Sequence, residues 1–170
     1  DEEHLRYYSG SPALALQWLR PSDRALLFEV SGSTCQELRT CAAAVLSGSG
    51  GDAVFAPAVE VLHEDSFRWL THHAVCSHPG QRGLVLIDPP YDSLSSADRW
   101  NLFLLRHLYR QWPGSCLALW YPANDAARAG SLLRRVQALG LGDVLVAEMT
   151  VGQQPGLRRS GVLMIRPPPG

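Results

Sequence analysis

The stretch LVLIDPPYDS, residues 84–93, joins a short apolar run to an acid, two prolines and a tyrosine. An uninterrupted apolar run is typical of a strand in a parallel sheet that is covered on both faces. Two adjacent prolines cannot continue the hydrogen-bond ladder of a strand, so the chain must turn out of the sheet after Asp88. The sequence therefore predicts a strand over 83–88 that ends on a stiff support carrying one carboxylate and one aromatic ring.

Strand patterns and helix patterns alternate along the rest of the chain, which is typical of a doubly wound α/β fold. The predicted strands cover 24–30, 58–65, 83–88, 115–122, 142–151 and 161–166, and the predicted helices cover 33–46, 66–75, 95–112 and 124–139. No helix separates the last two strands, so we expect a mostly parallel sheet with an antiparallel last strand. The same rhythm crosses the Gly/Ser stretch at 47–52, which favours one domain.

Composition limits the class of protein. The 170 residues are 46% hydrophobic, enough for one domain with a substantial core. The net charge of -1 gives no overall basic character of the kind that attracts nucleic acids. No apolar run reaches membrane-spanning length, and the first residues do not resemble a signal peptide. The four cysteines lack metal-ligand spacing, so we expect reduced thiols in an intracellular protein and no metal site, with zinc as the less favoured alternative.

Asp88 stands where ligands bind in open α/β sheets, at the carboxyl end of a strand. The exocyclic amine of a nucleobase has two N–H donors, which Asp88 and a carbonyl of the Pro89–Pro90 segment can accept. Tyr91 can stack on the ring once the base has left its own stack. The alternative is an ordinary strand-to-helix turn in which Asp88 is a cap and Tyr91 shields the core. The pattern favours the base-amine site.

With this segment in place, the chain resembles the RlmJ-type enzymes, which use S-adenosylmethionine to methylate N6 of an adenine in large-subunit (23S) ribosomal RNA. The resemblance is carried by LRYYSGSPALALQWLR (5–20), LLFEV (26–30), RGLVLIDPPYD (82–92), ALWYP (118–122) and SGVLMIRPP (160–168). Ser9 departs from it, since the family typically has proline there. The resemblance covers nearly the whole chain and implies a Rossmann-like class I methyltransferase fold, S-adenosyl-L-methionine as cofactor, ribosomal RNA as partner, and a cytoplasmic monomer without membrane attachment.

The resemblance also assigns catalytic roles by position. Asp88 would accept hydrogen bonds from the target amine and lie near the methyl donor. Pro89, Pro90 and Tyr91 complete the catalytic segment, with Tyr91 at the mouth of the cleft.

Four further residues would bind the cofactor. Glu29, at the end of its strand, would accept hydrogen bonds from the ribose hydroxyls. Dinucleotide-binding folds also use an acid at this position. Asp65 and Ser66 would meet the adenine edge; the family tends to have glycine after this acid, but Ser66 still offers its backbone N–H. Ser11 would complete the pocket. Alternatively, Glu29 is a solvent-facing strand end, Asp65 and Ser66 form a helix cap, and Ser11 caps the helix that begins at Pro12.

The fold normally opens with a strand that feeds a glycine-rich loop around the methionine part of the cofactor. Neither precedes LRYYSGSP here, so residues 1–170 are expected to form a partial methyltransferase domain. In the usual strand order the missing strand lies between the strands at 24–30 and 83–88, which would each keep an open edge. Three interpretations remain: an enzyme that has lost its N-terminal part, a non-catalytic remnant that serves as a binding module, and a DNA adenine methyltransferase.

Overall fold

A computed structural model describes residues 10–48, 57–75, 80–89, 94–151 and 156–168. The helices are α1 Ser11–Leu16, α2 Gly32–Gly48, α3 Ser66–His72, α4 Leu94–Gln111 and α5 Ala126–Gln137. The strands are β1 Arg24–Phe28, β2 Ala58–Leu62, β3 Gly83–Ile87, β4 Ser115–Pro122, β5 Val144–Thr150 and β6 Arg159–Ile165. The predicted alternation of strands and helices is confirmed, with element ends that differ by a few residues. The chain divides into two compact units, residues 1–69 and 70–170.

The first unit is built on a parallel strand pair. β1 and β2 pair in register from Arg24 opposite Ala58 to Phe28 opposite Leu62, and α2 connects them. The ring of Phe28 lies 5.2 Å from the ring of Trp69, tilted by 55°, which packs α3 against β1. Such aromatic pairs add about 0.5–1.5 kcal/mol beyond the area that they bury. The parallel pair and its packed helices fix where both strands end.

The second unit contains a four-stranded sheet in the order β3-β4-β6-β5. β3 runs parallel to β4, whereas β6 is antiparallel to both β4 and β5. The predicted antiparallel last strand is therefore confirmed. This strand completes the sheet by inserting between β4 and β5, which explains why no helix precedes it.

One face of this sheet packs against α4 and α5. The buried helix residues follow the 3.6-residue period of an amphipathic helix. They are Leu104, Leu105 and Leu108 in α4, and Ala129, Leu132 and Val136 in α5. The large buried strand residues alternate, as one face of a sheet requires. They are Ile87, Leu117, Leu119, Tyr121, Leu163 and Ile165. Burying each large side chain contributes about 1.5–3 kcal/mol, so this face supplies much of the stability of the unit.

The expectation that residues 83–88 are covered on both faces is wrong for β3. Ile87 is 5% exposed, but Leu84 and Leu86 on the opposite face are 68% and 47% exposed. Strand residues alternate between the two faces of the sheet. A continuous run of apolar residues therefore does not show whether one face or both faces are covered. β3 therefore carries an apolar face that the described part of the chain leaves bare.

In the described part of the chain, β1 and β3 each keep one open edge. Among the described residues, β1 pairs with β2 alone and β3 pairs with β4 alone. No strand in the described ranges pairs with the other edge of β1 or of β3. An open edge presents unpaired backbone N–H and C=O groups, which a further strand would satisfy.

Gly83 occupies a position that tolerates no side chain, and we expect Gly83→Ala to destabilise the second unit. A Cβ there would collide with the ring of Trp112, which is buried and cannot move aside easily. The ring donates its Nε1–H to the carbonyl of Gln81 at 2.7 Å, and the Trp112 carbonyl accepts from Arg166 at 3.2 Å. Overpacking of this kind costs about 1–3 kcal/mol.

The measurement is the free energy of opening, from hydrogen exchange of the β3 and β4 amides. Gly130→Ala in the interior of α5 is the matched control, since a Cβ there meets only the flexible end of Arg134 at 3.4 Å. Alanine stabilises a helix interior by about 1 kcal/mol over glycine, so the two variants should shift stability in opposite directions. A neutral Gly83→Ala variant would show that Trp112 is not held where the structure places it.

Candidate active site

Two predicted cofactor acids lie at one edge of the first sheet. Glu29 directly follows β1 and Asp65 follows β2 by three residues. Because β1 and β2 are parallel and in register at Phe28 and Leu62, their carboxyl ends meet at the same rim. The structure thus brings Glu29 and Asp65 to one side of this strand pair, where ligands bind in such sheets.

Glu29 is fixed by its own backbone and side chain. Its N–H donates to the carbonyl of Leu62 at 3.0 Å and extends the β1–β2 ladder by one residue. Its Oε1 accepts from the N–H of Ser31 at 2.8 Å, which shapes the turn into α2. The carboxylate keeps a second oxygen with which to accept from a hydroxyl.

His63 joins the two loops of this rim. Its Nε2 lies 2.9 Å from the carbonyl oxygen of Val30, so the loop after β2 is tied to the loop after β1. His63 is absent from the predicted site residues, although a histidine one residue past a strand end is a signal that points to it. Its ring holds the rim in shape and is committed to the backbone.

Asp65 caps α3, which is the alternative role that the sequence indicates for it. Its Oδ1 accepts from the N–H of Arg68 at 3.1 Å, and its carbonyl accepts from Trp69 at 2.9 Å. Its second carboxylate oxygen makes no hydrogen bond within the described residues. Ser66 is the first residue of α3, where backbone N–H groups have no partner inside the helix. An acceptor and a donor side by side match the Watson–Crick edge of adenine, so capping and ligand binding are compatible.

Ser11 begins α1, which packs against α2 in the first unit. Its side chain is half-buried. No hydrogen bond joins Ser11 to Glu29 or Asp65 in the described part of the chain. Its place in the cofactor pocket stays a prediction.

Asp88 ends β3 in the second unit. The residue is exposed, yet its carboxyl lies close enough to the protein to be partly desolvated, and this burial raises its pKa above the ordinary 3.8. Desolvation disfavours the charged carboxylate, which makes Asp88 a stronger hydrogen-bond acceptor when it is ionised. Pro89 follows and is half-buried, whereas Pro90 and Tyr91 lie outside the described residues.

The loop before β6 is anchored at the carboxyl end of β4, which parallels β3. Asn124 accepts at Oδ1 from the N–H groups of Arg158 and Arg159, both at 2.8 Å. Its Nδ2 donates to the carbonyl of Gly156 at 2.9 Å. Asn124 is another residue that sequence reasoning missed, since an asparagine after a strand suggests only a turn. It holds a loop in place on the rim where Asp88 stands.

A buried phenol supports the same rim. The Tyr121 hydroxyl donates to Oε1 of Glu148 at 3.0 Å, and Glu148 is also paired with Arg159. Burial, followed by the bond to Glu148, raises the pKa of Tyr121 to about 12. The bonds from Arg159 and Tyr121 lower the pKa of Glu148. Tyr121 therefore stays neutral and Glu148 stays ionised across the physiological pH range. The pair acts as a structural support.

The described ranges contain no group of three or more His, Cys, Asp or Glu residues that could hold a metal ion. None of the helices in those ranges is long and apolar enough to cross a membrane. Within the described residues, the strand ends of each unit offer carboxylates and backbone groups.

Alternating strands and helices, acids that follow parallel strands, and a mixed sheet that contains an antiparallel last strand are the features of a Rossmann-like α/β fold. The chain belongs to the family described as ribosomal RNA large subunit methyltransferase D, RlmJ, whose family model matches residues 1–170. The fold class and the family expected from the sequence are thus confirmed.

Two curated relatives carry the name ribosomal RNA large subunit methyltransferase J. The Haemophilus influenzae protein is 31% identical over 98% of this chain, and the Escherichia coli K12 protein is 28% identical over 96%. This chain spans 55% of the length of each. The crystal structure of Legionella pneumophila protein LPL1258 is similar in fold, with a TM-score of 0.72 at 24% identity, over 97% of this chain and 57% of that one.

Proposed function

We propose that the protein carrying this chain transfers a methyl group from S-adenosyl-L-methionine to the exocyclic N6 amine of an adenine in large-subunit, 23S-type ribosomal RNA. The observation that carries the proposal is Asp-Pro-Pro at the carboxyl end of β3, in a chain matched over its whole length by this family. The names of both curated relatives support a ribosomal RNA substrate. Action on ribosomal RNA would place the protein in the cytoplasm.

The residues of the rim suit the nucleoside part of the cofactor. The carboxylate of Glu29 would accept from the ribose hydroxyls. Asp65 would accept from the adenine amine, while the N–H of Ser66 donates to the ring. Ser11 would close the pocket. When bound, the cofactor supplies an electrophilic methyl group on a sulfonium.

Asp88 would make the target nitrogen nucleophilic. The nitrogen lone pair of an adenine amine is delocalised into the ring, so the amine is a poor nucleophile. Accepting both N–H bonds, with Asp88 on one and the carbonyl of Pro89 on the other, favours a more tetrahedral nitrogen whose lone pair is available. Such a nitrogen would accept the methyl group as the methyl–sulfur bond breaks to leave a neutral thioether, and its N–H proton would pass to solvent. This is positioning and hydrogen bonding, with Tyr91 stacked on the extruded base.

The experiment that tests the function is transfer of a labelled methyl group from S-adenosylmethionine to large-subunit RNA that lacks the modification. We expect label in N6-methyladenine of that RNA and none in a DNA of the same sequence. Label in the DNA alone would favour the DNA methyltransferase. A protein that binds the RNA without transferring label would favour the non-catalytic remnant.

The acid limb of the pH profile of kcat/KM should lie above 3.8, the ordinary pKa of an aspartate. Asp88 must be ionised to act as a strong acceptor for one N–H of the target amine, so the rate falls as the pH drops through its raised pKa. The stability effect has the opposite sign. A raised pKa in the folded state means that the Asp88 contribution is present at low pH and is lost as the pH rises through that pKa. Asp88→Glu should move the limb, and a limb at or below 3.8 would contradict the assignment.

A further inference from the structure

The outer face of α4 carries arginines and aromatic rings side by side. Arg99, Arg106 and Arg110 recur at spacings of seven and four, so they lie within about 40° of one another around the helix. They point away from the buried face formed by Leu104, Leu105 and Leu108. All three arginines are exposed. They span about 16 Å along the helix axis, which is long enough to meet several consecutive phosphates of one strand.

This part of the chain is basic, although the whole chain is not. Residues 94–137, which run from α4 through α5, contain six arginines and two aspartates, a formal charge of +4 against -1 for the whole chain. Asp98 is buried and faced by Arg128 and Arg135, at 3.4 and 3.7 Å. Asp125 caps α5. The outer face of α4 thus carries positive charge, and the one acid of this helix, Asp98, is buried away from it.

The three arginines differ from others in the same unit. Arg128 and Arg135 pair with Asp98, Arg159 pairs with Glu148, and Arg166 binds the carbonyls that end α4. Within the described ranges, the side chains of Arg99, Arg106 and Arg110 make no hydrogen bond or ion pair. They are available to an anionic partner at no cost in broken ion pairs.

A row of rings runs beside them. Trp100 and Phe103 are 58% and 49% exposed, which is unusual for residues of this size. Their ring centroids lie 6.2 Å apart in an edge-to-face arrangement. Phe103 also stacks on His107 at 5.9 Å with 19° between the planes. The rings hold one another in place, so less rotamer freedom is lost when a flat ligand binds.

We propose that this face, Arg99, Trp100, Phe103, Arg106, His107 and Arg110, binds a single-stranded segment of the RNA next to the target adenine. The arginines would contact phosphates, and Trp100 and Phe103 would stack on bases, which is how single strands are bound without reading their sequence. α4 begins at Leu94, six residues after Asp88, so its first turns lie close to the reacting base along the chain. The inference rests on the proposed function, since it assigns a second contact to the same substrate.

Charge decides between an RNA and a protein partner. Exposed rings and arginines also occur in protein interfaces, so the deciding feature is that three arginines without an ion-pair partner in the described residues share this face. Arginine matches phosphate oxygens with two parallel N–H bonds, and its plane also stacks on bases. The chemistry fits a strand with alternating phosphates and flat rings.

The first test measures binding of a fluorescein-labelled, single-stranded fragment of unmodified large-subunit RNA as a function of salt. The triple variant R99Q/R106Q/R110Q should bind about 10- to 50-fold more weakly at 0.15 M salt, with a slope of log K against log salt shallower by about 2, since each single-strand phosphate contact contributes about 0.7. R134Q is the control. It removes an exposed arginine about 100° around α5 from Arg135, the residue that faces α4.

The second test separates stacking from charge. Trp100→Leu should weaken RNA binding about fivefold or more without changing the salt slope, and Trp100→Tyr should restore it, because base stacking needs a flat ring and no charge. Folding of each variant is checked by far-UV circular dichroism, and Trp100 and the three arginines are exposed enough to accept the changes.

The outcomes separate this inference from the proposed function. Wild-type affinity and slope in the triple variant overturn the inference and indicate a solvated or protein-binding face, even if methyl transfer to the RNA is intact. Weakened RNA binding in the triple and Trp100→Leu variants, with R134Q unchanged, supports it. That result stands even if the wild-type protein transfers no methyl group, in which case the proposed function alone fails.

Discussion

Asp88→Ala should reduce methyl transfer to unmodified large-subunit RNA by on the order of 10²- to 10⁴-fold, or below detection. The variant loses the acceptor that draws the amine hydrogens away from the ring plane. It should leave the affinity for S-adenosylmethionine within about tenfold, because the main partner of Asp88 is the target amine and not the cofactor. The measurement is single-turnover transfer of labelled methyl, with cofactor binding measured separately by calorimetry.

Asp88→Asn sharpens the result. The amide keeps the shape and one acceptor oxygen, yet its NH₂ group would face the donor amine, so we expect nearly the same loss as with alanine. Glu37→Gln, at an exposed acid of α2, is the control for the loss of one negative charge. Wild-type turnover in Asp88→Ala would end the catalytic assignment. Loss of turnover together with loss of cofactor binding would move Asp88 to the cofactor pocket.

Tyr91→Ala should weaken binding of the target base by about 1–3 kcal/mol, or roughly 5- to 150-fold, as the stacking face disappears. Tyr91→Phe should be mild, since its ring offers the same flat surface. The measurement is KM and the Kd for RNA containing the target adenine, compared with RNA in which that base is missing. The abasic RNA should bind both variants and the wild type alike.

An equal loss of RNA affinity in Tyr91→Phe and Tyr91→Ala would contradict the stacking role. It would indicate that the phenol hydroxyl makes the contact. Losses of the same size with the abasic RNA would place Tyr91 away from the base altogether. The prediction for Tyr91 comes from the sequence, because the structure describes the chain only up to Pro89 at this turn.

The order of elements could be predicted from the sequence because local patterns determine it. The 3.6-residue spacing of α4 and the uninterrupted strand 115–122 are properties of neighbouring residues. The exposure of Leu84 and Leu86 could not be predicted in this way, because it depends on whether another element packs over that face of the strand. An apolar side chain indicates that it prefers burial, and only the assembled fold shows whether burial is available.

The same distinction applies to the site. Glu29 and Asp65 could be assigned to one rim because parallel strands place their carboxyl ends together. The support around them could not, since His63 binds a carbonyl 33 residues away and Asn124 binds a loop more than 30 residues later. These contacts are made by common polar residues whose partners are set by the tertiary fold. The motif residues could be recognised from the sequence, whereas the residues that position their loops could not.

The open edges of β1 and β3 bear on cooperativity. No backbone ladder joins the two sheets within the described residues, and we expect each sheet to open with a free energy of its own. Elements linked in this way open as separate cooperative units with their own free energies. A single melting temperature for the chain would then average two transitions, and tryptophan fluorescence would not separate them, since Trp18 and Trp69 belong to one unit and Trp100, Trp112 and Trp120 to the other. Hydrogen exchange measured at individual amides would show in which of the two units a substitution changes the free energy of opening.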